Sequence, residues 1–129
     1  MKKLLLTLIV LPFLFACSEQ VVLDNGLLRL TFDRANGTLL SMTDLETGYE
    51  YLDTTAEPQR LWSIVPLAEG DEIVEPTKVK VRKLSRNEAQ LSWSDDGAFS
   101  LVARVRLDKE KPLSHWSVEM SGYDGSKVK

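Results

Sequence analysis

The residues of this chain that are able to do chemistry are few and scattered. His115 is the one histidine and Cys17 the one cysteine in 129 residues. A histidine can serve as a general base, but no serine or cysteine nucleophile motif accompanies His115, so it reads as a surface side chain. Glu69, Asp71, Glu72 and Glu75 form an acidic run that would suit a divalent cation only if the carboxylates converged; adjacency alone reads as a solvated loop. Asp95-Asp96-Gly97 lacks the spacing of a calcium loop and reads as a turn. Trp62, Trp93 and Trp116 are the aromatic side chains with the largest stacking faces. No two carboxylates can be chosen as an acid and base pair, because that chemistry is defined by separation in space. The sequence therefore names no catalytic residue, no metal ligand, no cofactor and no sugar-contacting residue.

Composition narrows the classes further. Lys and Arg number 16 against 19 Asp and Glu, a net charge of −3, and 43% of residues are hydrophobic. That is room for one domain. The charge balance excludes a basic nucleic-acid footprint, and a single cysteine excludes an internal disulfide framework.

The first residues form a separate segment. Lys2 and Lys3 give a basic start, and Leu4 to Ala16 are thirteen uncharged residues broken in polarity only by Thr7. A membrane-spanning helix needs about 20 such residues; thirteen suits the apolar core of a secretory signal. The segment ends Leu14-Phe15-Ala16-Cys17, which resembles the lipobox of bacterial lipoproteins, although Phe15 is larger than the residue usual at that place. The resemblance implies that Cys17 is acylated and becomes the mature N-terminus. Two or more acyl chains anchor stably where one does not, at about 0.8 kcal/mol per buried CH₂. Ser18, in place of the aspartate that marks inner-membrane retention in such proteins, implies the outer membrane. Loss of residues 1–16 removes Lys2 and Lys3 and leaves 14 basic residues against 19 acidic ones, with no polybasic segment after the anchor to add attraction to anionic lipid. The expected organisation is a signal peptide at 1–16, a lipidated tether at 17–22 and a β-domain at 23–129.

From Val21 onward the apolar residues recur with a period of two, which predicts strands and no helix. Leu28, Leu30 and Phe32 alternate with polar residues, as do Ala89, Leu91 and Trp93, then Phe99 to Leu107, then Trp116, Val118 and Met120. Strands are also expected over Leu61 to Val65 and Val79 to Leu84, with polar connectors at Asp53 to Arg60 and Glu69 to Pro76. Hairpin registers follow from keeping the large apolar residues on one face. A three-residue Ala35-Asn36-Gly37 loop with Gly37 left-handed pairs Phe32 with Leu40 and Leu30 with Met42. An Asp95-Asp96-Gly97 loop pairs Trp93 with Phe99. A four-residue loop from Asp108 to Lys111 pairs Ala103 with Trp116 and sets His115 beside Arg104. Trp93 and Trp116 then fall on the buried side, and Arg104, Arg106, His115, Ser117 and Glu119 share the wet or functional side. The fold expected is an all-β, antiparallel β-sandwich.

The stretch Leu23 to Leu52 resembles the opening of the galactose-mutarotase-like β-sandwich domains that precede the catalytic part of many bacterial glycoside hydrolases. Asn25, Leu28, Leu30, Phe32, Gly37, Leu40, Asp44, Thr47-Gly48 and Leu52 carry the resemblance, and Trp116 to Gly122 fits a later strand. Because those domains run longer, the resemblance implies an incomplete supersandwich without a catalytic site of its own. The function it implies is a non-catalytic N-terminal domain of an envelope-anchored, carbohydrate-active lipoprotein, whose partners are the membrane, through Cys17, and a polysaccharide or oligosaccharide. The alternative is a free-standing structural or assembly lipoprotein of the envelope. Replacing Cys17 with Ser is expected to leave the precursor unprocessed or to release soluble protein. Intact-mass measurement checks this, and an unlipidated mature N-terminus at another residue contradicts it.

Overall fold

A computed structural model of the chain describes residues 19–56, 60–64, 74–96 and 99–122. Cys17, the acidic residues Glu69, Asp71 and Glu72, Val65 and Gly97 lie outside them. The described chain is all-β, in two antiparallel sheets. The first holds β1 (Gln20–Asp24), β2 (Leu28–Asp33) and β3 (Leu39–Asp44) in that order. The second holds β4 (Lys78–Ser85), β5 (Glu88–Asp95), β6 (Phe99–Leu107) and β7 (Ser114–Ser121), also in sequence order. β1 begins at Gln20, so it takes in residues assigned above to the tether.

The period of two explains both sheets. Val21, Leu23, Leu28, Leu30 and Phe32 from the first sheet are buried, as are Ala89, Leu91, Trp93 and the odd-numbered residues of β6 from the second. They form one core between the sheets, joined from the connector by buried Ile64 and half-buried Trp62. Each Leu or Phe withdrawn from water contributes about 1.5–3 kcal/mol. Leu61 to Ile64, expected as part of a strand, runs as irregular chain; its backbone link is the Val74 amide donating to the Ile64 carbonyl at 3.1 Å.

Side chains from each sheet reach the turns of the other. Asn25, in the turn between β1 and β2, accepts through Oδ1 from the amides of Leu27 and Leu28 at 2.9 and 2.7 Å. Its Nδ2 donates across to the carbonyls of Asp108 and Lys111, at 2.7 and 2.9 Å, in the loop between β6 and β7. Beside it the Asp24 amide donates to the Arg86 carbonyl at 3.1 Å. At the opposite end the Trp93 indole N–H donates to the Asn36 carbonyl at 2.9 Å, in the turn between β2 and β3.

The alternation holds the expected faces in the second sheet and at Leu30 and Met42, while Leu39 rather than Leu40 packs on the core; the pairing differs in three places. Leu30 pairs with Met42 as expected, whereas Phe32 pairs with Leu39 because a bulge leaves Leu40 as the extra residue. Trp93 pairs with Leu101, and Phe99 with Asp95. This separates the two large rings by one row and lets Trp62 stack edge-on against both, each at 5.7 Å between centroids. Trp116 pairs with Val105, and His115 with Arg106, across a loop of residues 108–113. Loops of four and six residues keep the same faces. The longer one is selected by Asp108, whose Oδ1 accepts from the Glu110 and Lys111 amides at 2.9 and 3.0 Å, and by the two bonds from Asn25.

Gly37 has φ of 74°, as its place in the turn requires, and a Cβ there would lie 2.7 Å from the Trp93 ring. Gly48 has the same φ with open space around it. Gly48→Ala is therefore expected to cost about 1–2 kcal/mol, the left-handed penalty alone. Gly37→Ala adds overpacking and is expected to cost about 2–5 kcal/mol. Urea unfolding of the two variants checks the difference; equal losses would contradict the close contact.

Candidate functional site

Three features stand out from the scaffold: a bound carboxylate at the edge of the first sheet, an apolar stripe on β7, and the outer face of the second sheet. The carboxylate belongs to Glu50. Its two oxygens accept from the Ser41 hydroxyl at 2.6 Å, the Met42 amide at 2.8 Å, the Thr43 hydroxyl at 2.9 Å and the Leu52 amide at 3.0 Å. Burial pushes its pKa up, but those four donors outweigh it and hold the group at about 2 against an ordinary 4.5. Every lone pair is engaged, so Glu50 has no capacity left for acid–base work. It closes the free edge of β3, with the Tyr51 amide donating back to the Met42 carbonyl at 2.8 Å.

The stripe on β7 departs from expectation. Trp116, Val118 and Met120 point to the core side but are 40, 62 and 46% exposed. β7 is the last strand of its sheet, and from the first sheet Phe32 meets the Trp116 ring edge-on at 6.0 Å. Trp116 and Val118 border an apolar groove of about 250 Å³, with Trp62 and Ala103 also in its wall. Trp93, by contrast, is buried and fully committed to its bond with Asn36.

The outer face of the second sheet is polar through most of its paired rows. One row runs Lys78, Ser94, Ser100, Ser121; the next Lys80, Ser92, Val102, Glu119; the next Arg82, Gln90, Arg104, Ser117; and the last Ser85, Glu88, Arg106, His115. A groove of about 300 Å³ crosses its end, lined by Glu88, Arg104, Arg106, His115, Trp116 and Ser117. Arg104 donates to Gln90 at 3.3 Å. His115 lies 3.3 Å from Asp108. The Asp108 carboxyl sits below the usual carboxylate range, first through the Glu110 amide and then through His115. A base beside a carboxylate needs a nucleophile or a substrate proton within reach, and the neighbours of His115 here are Arg106, Asp108, Trp116 and Ser117.

The sequence brought Arg104, Arg106, His115, Ser117 and Glu119 to one face, and the structure keeps them together. It missed the contribution of β4, although the spacing Lys78-Val79-Lys80-Val81-Arg82 marks a strand with one cationic side. Glu75 pairs with Arg60 rather than joining a cation site, and Asp95 and Asp96 end a strand and begin a turn. Among the described residues no three His, Cys, Asp or Glu side chains are placed to hold a metal ion. Comparison with protein-family models, with curated proteins and with solved structures finds no match for this chain.

The Glu50 arrangement makes a pH prediction. A carboxyl whose folded pKa is lowered stabilises the fold above its unfolded pKa and loses that contribution as pH falls through the folded one. Stability is therefore expected to decline from about pH 4.5 down to about pH 2. Glu50→Gln should lower stability at pH 7 and flatten that decline. Thermal melts of both proteins across the range check it; parallel pH profiles would contradict it.

Proposed function

We propose that this chain is a non-catalytic β-sandwich module of a carbohydrate-active lipoprotein, held at the bacterial outer membrane through acylated Cys17. The observation that carries the reading is how the fold uses the residues of the galactose-mutarotase-like resemblance. Asn25 bridges the sheets. Leu28, Leu30 and Phe32 fill the core. Gly37 and Gly48 take positive φ. The Asp44 carboxylate accepts from the Glu46 and Thr47 amides, both at 2.9 Å. The anchor reading rests on the basic start, the thirteen-residue apolar run and the lipobox-like Leu14-Phe15-Ala16-Cys17, and β1 starts at Gln20. Three residue steps from Cys17 span at most roughly 10 Å, so an acylated Cys17 would hold the sandwich against the bilayer surface rather than on a long stalk.

A second reading, a structural or assembly component of the envelope, is favoured by the exposed Trp116, Val118 and Met120 on the last strand of a sheet. Such an edge accepts an added strand, with backbone bonds for affinity and alternate apolar side chains for register.

Affinity electrophoresis of the purified full chain through gels loaded with different polysaccharides separates the two. The proposed function predicts retardation by at least one polysaccharide with no release of reducing ends. Turnover abolished by changing a single carboxylate would contradict the non-catalytic assignment. Absence of retardation in every gel, with co-purification of an envelope protein, would favour the assembly reading.

A further inference from the structure

We propose that the outer face of the second sheet is a binding surface for an acidic glycan, one carrying carboxylates or sulfates, with Arg104 and Arg106 at its centre. The inference rests on the carbohydrate reading above and adds the class of sugar.

Charge is placed unevenly on this molecule. The chain as a whole is acidic, at −3. Its paired outer rows nevertheless hold Lys78, Lys80, Arg82, Arg104 and Arg106 against Glu88 and Glu119 alone. Lys78 is neutralised by Asp96 at 2.6 Å. Among the described residues, Lys80, Arg82 and Arg106 have no ion pair, and Arg104 has only the neutral Gln90. An acidic protein that gathers unpaired cations on one face concentrates anions there.

Neutral polar groups separate those cations. Between them stand Ser92, Gln90, Ser117, Ser94 and Ser100, which offer hydroxyl and amide groups of both hydrogen-bonding senses. The paired rows hold one apolar side chain, Val102. A lipid-binding surface carries apolar side chains that enter the bilayer beside its cations; this face offers Val102 and, at the bulged end of β4, exposed Leu84, few against five cations. A polyhydroxylated chain with regularly placed anions matches a face on which cations and neutral polar groups are interspersed.

The spacing of the two central arginines suits such a chain. Arg104 and Arg106 are two residues apart on one strand, so their Cα atoms stand about 7 Å apart on the same side. Both line the groove that also contains His115 and Ser117, with Trp116 at its border. A guanidinium takes a carboxylate or sulfate through two parallel hydrogen bonds, which an ammonium cannot do. The groove thus has two guanidinium forks with the Ser117 hydroxyl beside them, and one carboxylate, Glu88, across from Arg106.

The test uses the full chain and two matched pairs of probes: polygalacturonate against its methyl ester, and dextran sulfate against dextran. Affinity electrophoresis is expected to give at least roughly tenfold tighter binding to one acidic member than to its neutral counterpart, weakening as salt rises. Arg104→Gln with Arg106→Gln should reduce that binding by a similar factor with the melting temperature unchanged, whereas Lys83→Gln, on the other side of β4, should leave it intact. If the double variant fails to fold, Lys80→Gln with Arg82→Gln should weaken binding by several fold. Equal binding to charged and neutral members overturns this inference and leaves the carbohydrate reading standing. No binding to any of the four, with retention by other neutral polysaccharides, overturns it in the same way. No binding to any polysaccharide overturns both. Tighter binding to phosphatidylglycerol vesicles than to either acidic glycan assigns the face to the membrane and overturns the inference.

Discussion

Two hydrogen-bonded side chains, one at each end, fix how the sheets face each other. Asn25 leaves the first sheet and holds two carbonyls of the second. Trp93 leaves the second and holds one carbonyl of the first. Apolar burial drives the sheets together but is non-directional; these bonds select one orientation among many that would bury similar area. Each is tied to local geometry that admits little substitution. Asn25 uses both ends of its amide, and the Trp93 ring lies where any side chain at position 37 would be. With the inner faces committed, the Lys, Arg, Ser and Gln residues of the second sheet have one direction left, toward solvent.

The sheet edges are treated unequally. β3 is closed by the Glu50 carboxylate and the chain that follows it. β4 carries Lys78, Lys80 and Lys83, whose charges discourage pairing with another strand. β7 has neither device on its apolar side, where Trp116, Val118 and Met120 meet water. The sandwich therefore presents two surfaces of opposite character that meet at Trp116: an apolar edge and a cationic, hydroxyl-rich face. A module that binds a polar polymer on a sheet face while its edge adjoins another structural element would use both.

Face assignment was legible in the sequence, and exact pairing was not. The alternation from Leu28 to Met120 assigns the strand residues to a side, because a one-residue slip would expose the core. A two-residue slip costs nothing by that criterion. The observed register of Trp93 instead makes room for Trp62, a residue of irregular chain in the connector, whose ring packs edge-on against both Trp93 and Phe99. The register of β7 follows from Asn25, 83 positions from the Asp108 carbonyl it holds. Contacts between residues so far apart leave no periodic trace. The exposure of Trp116 was hidden for a related reason: alternation gives the side a residue faces, not whether another sheet covers that side. Glu50 left no signal either, since its four donors converge only when the chain folds back on β3.

That the two sheets form one unit pinned at opposite ends is measured most directly by a double-mutant cycle on Asn25→Ala and Trp93→Phe. Urea unfolding should follow a single transition in all four proteins. Each single change should cost about 1–3 kcal/mol, and because the two pins share no partner the costs should add within about 0.5 kcal/mol. Unchanged stability in both single variants, or separate unfolding transitions for the two sheets, would contradict the pinned sandwich.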